Sequence, residues 1–413
     1  MPNKINRVIE LAYKAFVPGV KDRKKIDAAA EKAKSFVLEK IKKLKVDADV
    51  NFAGSYAKDT WMKDKSDVDI FVSFNSEKET TKLRKLVPKS FASEQGTREY
   101  FRGSIRGIGI EVIPLVKFKD VDKVKNSIDL SILHAGYIKR KLNEKLRKDI
   151  IILKQFCRAN GCYGSETYKH GFSGYSLEVL LIKHNGIIKL FDQVTRWMNV
   201  KQGVLVGLDY KVQNENLKVK DRYPNSPIIV IDPTNPKRNI CASVDTENFS
   251  RFLFAVKSFL VDPKMDFFVE RDPVKEALAS AKRRGTKLFR YSTKVRGPKD
   301  KFLSIYNKNL EKLLNVLKEY NISIYDFLPI YRDDHVELLL QIENIPITKT
   351  RRILGPNVAL GLESFKRFLK EHKQVYVYGK FAAYDKEYNI KNLNKFIINK
   401  IKEYISPESI LKN

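Results

Sequence analysis

Two aspartates one residue apart, Asp67 and Asp69, stand in the run Asp67-Val68-Asp69-Ile70-Phe71-Val72-Ser73-Phe74. Apolar residues at 68, 70 and 72 alternate with them, the pattern of a β-strand whose side chains leave on opposite faces. Asp67, Asp69 and Phe71 then share one face, and the two carboxylates stand side by side. Like charges so placed repel, and a bound divalent cation would relieve the repulsion. Twelve residues before Asp67, the pair Gly54-Ser55 opens a short helix. The free N–H groups of such a helix start, with the Ser55 hydroxyl, suit a phosphate. A phosphate cradle beside paired carboxylates is what metal-assisted attack on a nucleoside triphosphate requires. A third acid, Glu111, interrupts the apolar residues Ile110, Val112 and Ile113. A lone carboxylate is costly to bury, so Glu111 either faces out or meets a cation.

These groups need elements to hold them. Residues 50–74 read as strand, glycine turn, short helix and second strand. Residues 98–106 and 107–118 read as paired strands, with Gly107 and Gly109 favouring a tight connection or bulge. Helices at 4–16 and 23–44 flank Pro18-Gly19. The second repeats Ile26, Ala29, Ala30, Ala33, Phe36, Val37, Ile41 and Leu44 at helical spacing, as a packing helix does. Asp129-Leu130-Ser131 offers a helix start with Asp129 or Ser131 as its cap. Residues 141–160 form the clearest helix, stopped by Gly161, and Ser173 caps the next. A polar insertion at 209–222 precedes a strand at 228–231. Pro233 and Pro236 then fix a loop that runs into a strand or helix and carries Arg238, and a helix at 247–262 follows. Beyond it lie helices at 301–320 and 362–372, a strand at 374–378, and basic-aromatic stretches at 282–296 and Arg351-Arg352 that suit a phosphate backbone on strands.

The totals narrow the classes. A chain of 413 residues with 43% hydrophobic and 31% charged residues is globular and long enough for two to four domains. No apolar run reaches the ~20 residues of a membrane span. The first residues lack the apolar core of a signal peptide. Cys157, Cys162 and Cys241 show neither a Cys-x-x-Cys pair nor zinc spacing, as expected of buried thiols in a reducing cytoplasm. The net charge of +30 is spread as +11 over residues 1–140, +8 over 141–258 and +11 over 259–413. Charge spread this way suits a large polyanion lying along several domains. An anionic membrane surface fits less well, since no terminal amphipathic anchor stands out.

Gly54-Ser55 followed by Asp67-x-Asp69 resembles the nucleotidyltransferase superfamily that includes polymerase beta and poly(A) polymerases. The string Gly54-Ser55-Tyr56-Ala57-Lys58-Asp59-Thr60-Trp61 is similar to one branch, the archaeal (class I) CCA-adding tRNA nucleotidyltransferases. Ala159-Asn160-Gly161-Cys162-Tyr163-Gly164 and Gly171-Phe172-Ser173-Gly174-Tyr175 strengthen the likeness, as does Asp232-Pro233 with Lys237-Arg238-Asn239. The likeness is dense over 50–75 and 150–245 and loose after 260.

The resemblance implies an α+β multidomain fold: a polymerase-beta-like catalytic head at 1–140, a largely helical nucleotide-selecting neck at 141–258, and an α+β body and tail at 259–413 that grips the tRNA acceptor stem and TΨC arm. It implies stepwise addition of C, C and A to tRNA from CTP and ATP, without a template, in the cytoplasm. A homodimer is one assembly it permits. Asp67, Asp69 and Glu111 would bind two Mg²⁺ ions. By residue type alone Lys58 is a surface lysine, Lys154 a lysine beside an apolar face, Tyr163 a loop aromatic, Ser131 a cap, His134 a structural or surface histidine and Arg238 a surface arginine. By resemblance these six join Gly54 and Ser55 in holding the nucleotide, with Arg238 selecting the base. The family usually carries Asp where this chain has Glu111, whose extra methylene lengthens the reach by about 1.5 Å. Two other readings stay open: another template-free RNA nucleotidyltransferase, such as a poly(A)-adding enzyme, and a catalytically weak paralogue that binds tRNA.

Overall fold

The computed structural model describes residues 2–64, 67–118, 124, 126–197, 204–206, 219, 221–343, 350–387, 390 and 392–411. The polar insertion at 209–222 lies largely outside them. The chain divides into two units, Met1–Glu270 and Arg271–Asn413. Both mix helices and sheets, so the architecture is α+β, as expected.

The first unit begins with helices α1 (Pro2–Phe16) and α2 (Val20–Leu44), then strand β1 (Ala48–Ala53), the one-turn helix α3 (Gly54–Ala57) and strand β2 (Asp67–Phe74). Strands β3 (Ala92–Gln95), β4 (Glu99–Ile105) and β5 (Ile108–Val116) complete a sheet of order β1-β2-β5-β4-β3. β2 and β5 run parallel; the other pairs are antiparallel. Alternation sorts the two faces. Val68, Ile70, Val72 and Phe74 of β2, with Ile110 and Val112 of β5, pack in one core with Ile26, Ala30, Ala33 and Val37 of α2. Asp67, Asp69 and Glu111 therefore leave the sheet on the face away from α2. The β4–β5 turn is Arg106-Gly107, both with positive φ, the requirement of a tight two-residue hairpin.

A helical layer follows: α4 (Ser131–Lys141), α5 (Glu144–Ala159), α6 (Gly174–His184) and α7 (Ile187–Thr195). The small sheet β6 (Val204–Val206), β7 (Ile228–Asp232) and β8 (Asn235–Asn239) and the helix Thr246–Val261 close the unit. Phe156, Phe172, Phe191, Phe249, Phe252, Phe259 and Phe268 are fully buried in its core. Val8, Ile9 and Ala12 of α1 belong to this core as well, so the first helix of the chain packs with the helical layer. The three cysteines are free and buried. Gly161 follows α5 with φ 71°, and the Ser173 hydroxyl caps α6 through the Ser176 N–H, both as the sequence suggests. The start of α4 differs from expectation. Neither Asp129 nor Ser131 caps it; Asp129 lies in the 3-10 turn Ser127–Leu130 and takes a bidentate pair from Arg98 and the Val116 N–H. A buried guanidinium outbids a local cap for that carboxylate.

The second unit holds the helix Pro273–Arg284, the sheet β10-β11-β9 (Ile324–Tyr331, His335–Ile342, Lys287–Lys294) and the helix Lys299–Glu319. A second sheet, β12-β14-β13 (Thr350–Asn357, Phe381–Glu387, Tyr376–Tyr378), adjoins the helix Leu362–Glu371, and the helices Leu393–Ile405 and Pro407–Leu411 end it. Lys282, Arg283 and Arg284 end a helix rather than lying on a strand. Among the described residues no helix is long and apolar enough to cross a membrane.

Candidate active site

Asp69 of β2 is the direct partner of Glu111 across the parallel β2–β5 pair, and Asp67 is the partner of Gly109. Both glycines make room for a carboxylate. A Cβ on Gly109 would stand 1.9 Å from Asp67 Oδ1, and one on Gly54 would stand 1.5 Å from Asp69 Oδ2. Gly54 also takes a φ of 59°, which lets β1 turn directly into α3. So Gly109 serves close approach to a side chain, while the hairpin turn uses Gly107.

Arg102 of β4 sits opposite Glu111 in the antiparallel register and shares its face. Its Nη2 donates to Asp67 Oδ2 at 2.9 Å, and its Nε lies 3.4 Å from Glu111 Oε1. Burial, then the charges of Glu111 and Asp67, push the Asp69 pKa up to about 7, against the pull of Lys58 and Arg102. Burial also raises the Glu111 pKa, and Arg102 opposes it. Three carboxylates converging on one face, two of them seated over glycines, form a hard oxygen donor set that fits Mg²⁺. As they stand, no three Asp, Glu, His or Cys side chains among the described residues are gathered closely enough to hold a metal ion.

Beside them lies a buried ionic cluster. Glu178 of α6 is wholly buried. Its Oε2 accepts from Lys58 Nζ at 2.6 Å, and its Oε1 accepts from Thr60 Oγ1 and Lys154 Nζ, both at 2.7 Å. Lys154 Nζ also donates to the Thr60 carbonyl and hydroxyl, each at 3.0 Å. Burial lowers the Lys154 pKa, and the Glu178 charge opposes the drop. Burial works to raise the Glu178 pKa, but the two ammoniums overcome it and hold it down at about 2. Gly174, the first residue of α6, lets Tyr163 and Lys154 meet: a Cβ there would lie 3.2 Å from the Tyr163 hydroxyl and 3.5 Å from Lys154 Nζ.

A second hub is Asp232 at the end of β7, also fully buried. It accepts from the Tyr175 hydroxyl at 3.0 Å and from the Thr234 N–H and hydroxyl at 2.8 Å. His134 Nε2 lies 3.1 Å away and Arg238 Nη1 donates at 3.5 Å. Burial would raise the Asp232 pKa; His134 and Thr234 reverse it to a net lowering. His134 stacks on Tyr175 with ring centroids 4.0 Å apart, and Lys58 Nζ lies 5.8 Å from the same Tyr175 ring.

The expected residues thus form one array in the first unit. Asp69 of the carboxylate cluster feels the Lys58 charge. Lys58 joins Lys154 through Glu178, and Tyr163 and Lys154 both approach Gly174. Tyr175, beside Lys58, stacks on His134 and bonds Asp232, which holds Arg238. Ser55 lies in α3 next to Gly54, half-buried, and Ser131 is the first residue of α4. Sequence reasoning missed Arg102, Thr60, Tyr175, Glu178 and Asp232. The signal for Glu178 was present, since it interrupts Leu177, Val179 and Leu180 just as Glu111 interrupts its strand.

Comparison with known proteins places this array in context. Residues 31–134 match the model of the nucleotidyltransferase domain, and residues 148–269 match that of the tRNA nucleotidyltransferase second domain. The chain is 25% identical to a CCA-adding enzyme of Methanocaldococcus jannaschii over 343 residues, which is 80% of this chain and 75% of that one. It is 29% identical to one from Picrophilus torridus over 264 residues, 63% of this chain and 57% of that one. It is also 29% identical to one from Pyrococcus abyssi over 204 residues, 48% of this chain. The match spans less than half, 45%, of the Pyrococcus enzyme.

Proposed function

Because the chain belongs to the tRNA nucleotidyltransferases of the polymerase-beta-like superfamily, we propose that it adds C, C and A in turn to the 3′ end of tRNA, taking them from CTP and ATP without a template and releasing pyrophosphate. The observation that carries this reading is the register pair Asp69–Glu111 with Asp67 on the same face, continuous with Lys58.

Asp67, Asp69 and Glu111 would hold Mg²⁺, which when bound lowers the pKa of the 3′ hydroxyl and offsets charge on the triphosphate. The protein's own groups do the rest. Lys58 spends one donor on Glu178 and keeps two for phosphate oxygens. Lys154 has three donors engaged by Thr60 and Glu178, so it adds its charge and steadies the carboxylate that aims Lys58. Tyr163, Ser55 and the N–H groups after Gly54 would hold the triphosphate, and His134 and Ser131 the rest of the nucleotide. Arg238, on a strand fixed by Asp232, presents planar donors that can read base edges. In this reading residues 1–140 catalyse, 141–258 select the nucleotide, and 259–413 grip the acceptor stem and TΨC arm. The positive charge carried by all three stretches suits that polyanion.

The test is extension of a labelled tRNA transcript ending at the discriminator base, with Mg²⁺ and each nucleotide alone or CTP with ATP. Two additions with CTP alone, and a third only with ATP present, are expected. Repeated A addition would favour a poly(A)-adding enzyme. Tight tRNA binding without pyrophosphate release would favour the binding paralogue.

A further inference from the structure

We propose that the Arg102 guanidinium is the resident counter-ion of the carboxylate cluster, and that a divalent cation binds there by displacing it. This inference rests on the metal-binding reading above. Arg102 leaves β4 on the same face as its register partner Glu111. Its fork spans the cluster, with Nη2 on Asp67 and Nε toward Glu111. It therefore engages two of the three carboxylates that would ligate the metal. A carboxylate lone pair given to a guanidinium is not available to a metal ion, and two cations so close repel.

The exchange is sterically open. The Arg102 side chain is 43% exposed and that of Asp67 37%, so the guanidinium can withdraw into water without leaving a cavity. The carboxylates cannot retreat so easily. Asp67 and Asp69 are seated against Gly109 and Gly54, where no Cβ would fit. A cation arriving at the cluster therefore meets carboxylates fixed by the backbone and a part-exposed guanidinium that competes for them. Without the metal, Arg102 shields like charges from one another; with it, Arg102 becomes redundant. The metal affinity of the site is then set partly by a residue that does not ligate metal.

The test measures Mn²⁺ binding to the full, metal-stripped chain by electron paramagnetic resonance at about pH 8.5, where carboxylates are ionised. Arg102→Gln is expected to bind Mn²⁺ about threefold to tenfold more tightly than the wild type, the range set by losing one part-exposed, charge-assisted pair. Arg102→Lys, which keeps the charge, should stay near the wild type. In chelator, Arg102→Gln should melt below the wild type and regain more on adding Mn²⁺. Equal or weaker Mn²⁺ binding by Arg102→Gln overturns the displacement while leaving the metal site standing. Absence of binding in both proteins, with Asp67→Asn indistinguishable from them, overturns the metal reading and this inference together.

Discussion

Asp69 and Glu111 face one another as register partners on two parallel strands, 42 residues apart in the chain. Neighbouring strands are spaced about 4.8 Å apart, so both carboxylates rise from adjacent backbone positions on one face. The sheet itself sets their separation, and the far face, filled by the α2 core, holds the strands in register. Burial and this like-charge neighbourhood hold the Asp69 pKa near 7.

A stability profile follows from that shift. The Asp69 pKa rises from an ordinary 3.8 to about 7 on folding. Between those values the folded chain binds more protons than the unfolded one, so stability falls as pH rises. The full cost is present above pH 7 and absent below 3.8. In chelator, Asp69→Asn should gain roughly 1–2 kcal/mol at about pH 8, discounted for the solvent that reaches the site, and nothing near pH 4. Urea midpoints at the two pH values check this. An equal effect at both would contradict it.

Glu178 accepts from two buried ammoniums. Glu178→Ala leaves Lys58 and Lys154 without their carboxylate and should cost about 3–5 kcal/mol of stability. The triphosphate of CTP can supply the missing anion. CTP should therefore raise the melting temperature of Glu178→Gln more than that of the wild type, as calorimetry would show.

Asp232 ties Arg238 to His134 and Tyr175. Asp232→Ala frees the guanidinium while leaving the carboxylate cluster intact. The ratio of kcat/KM for CTP over UTP should fall by about tenfold or more, with a smaller loss in kcat. Equal losses for both nucleotides would assign Asp232 a purely structural part.

Gly109→Ala places a methyl group on the Asp67 carboxylate. The strand should persist, since alanine tolerates extended backbone, but Asp67 must move. Activity should drop by roughly 10²-fold with little change in melting temperature. Unchanged turnover would show that the position of Asp67 is not critical.

Much of this was legible in the chain. Period-two alternation marked β2 and placed Asp67 and Asp69 on one face, and an acid in an apolar run marked Glu111. Helical spacing marked α2 and α5 because each buries a continuous apolar stripe. What the sequence withheld was long-range pairing. Nothing local shows that β2 runs beside β5, which turns Gly109 from a turn residue into a seat for Asp67. Asp129 has the local chemistry of a cap, yet Arg98, 31 residues away, claims it. Arg102 and Asp232 look like ordinary surface charges until the sheet brings their partners to them. Strands β10 and β11 were not foreseen either, as they carry near-continuous apolar runs without clear alternation.

The most direct measurement is single-turnover addition of the first C to a tRNA transcript by the wild type, Asp67→Asn, Asp69→Asn and Glu111→Gln, with tRNA affinity measured in parallel. Each substitution should slow addition by about 10²-fold or more while tRNA binding stays within a few-fold of the wild type. Near-wild-type addition by any two of the variants would contradict the assignment of this cluster as the catalytic centre.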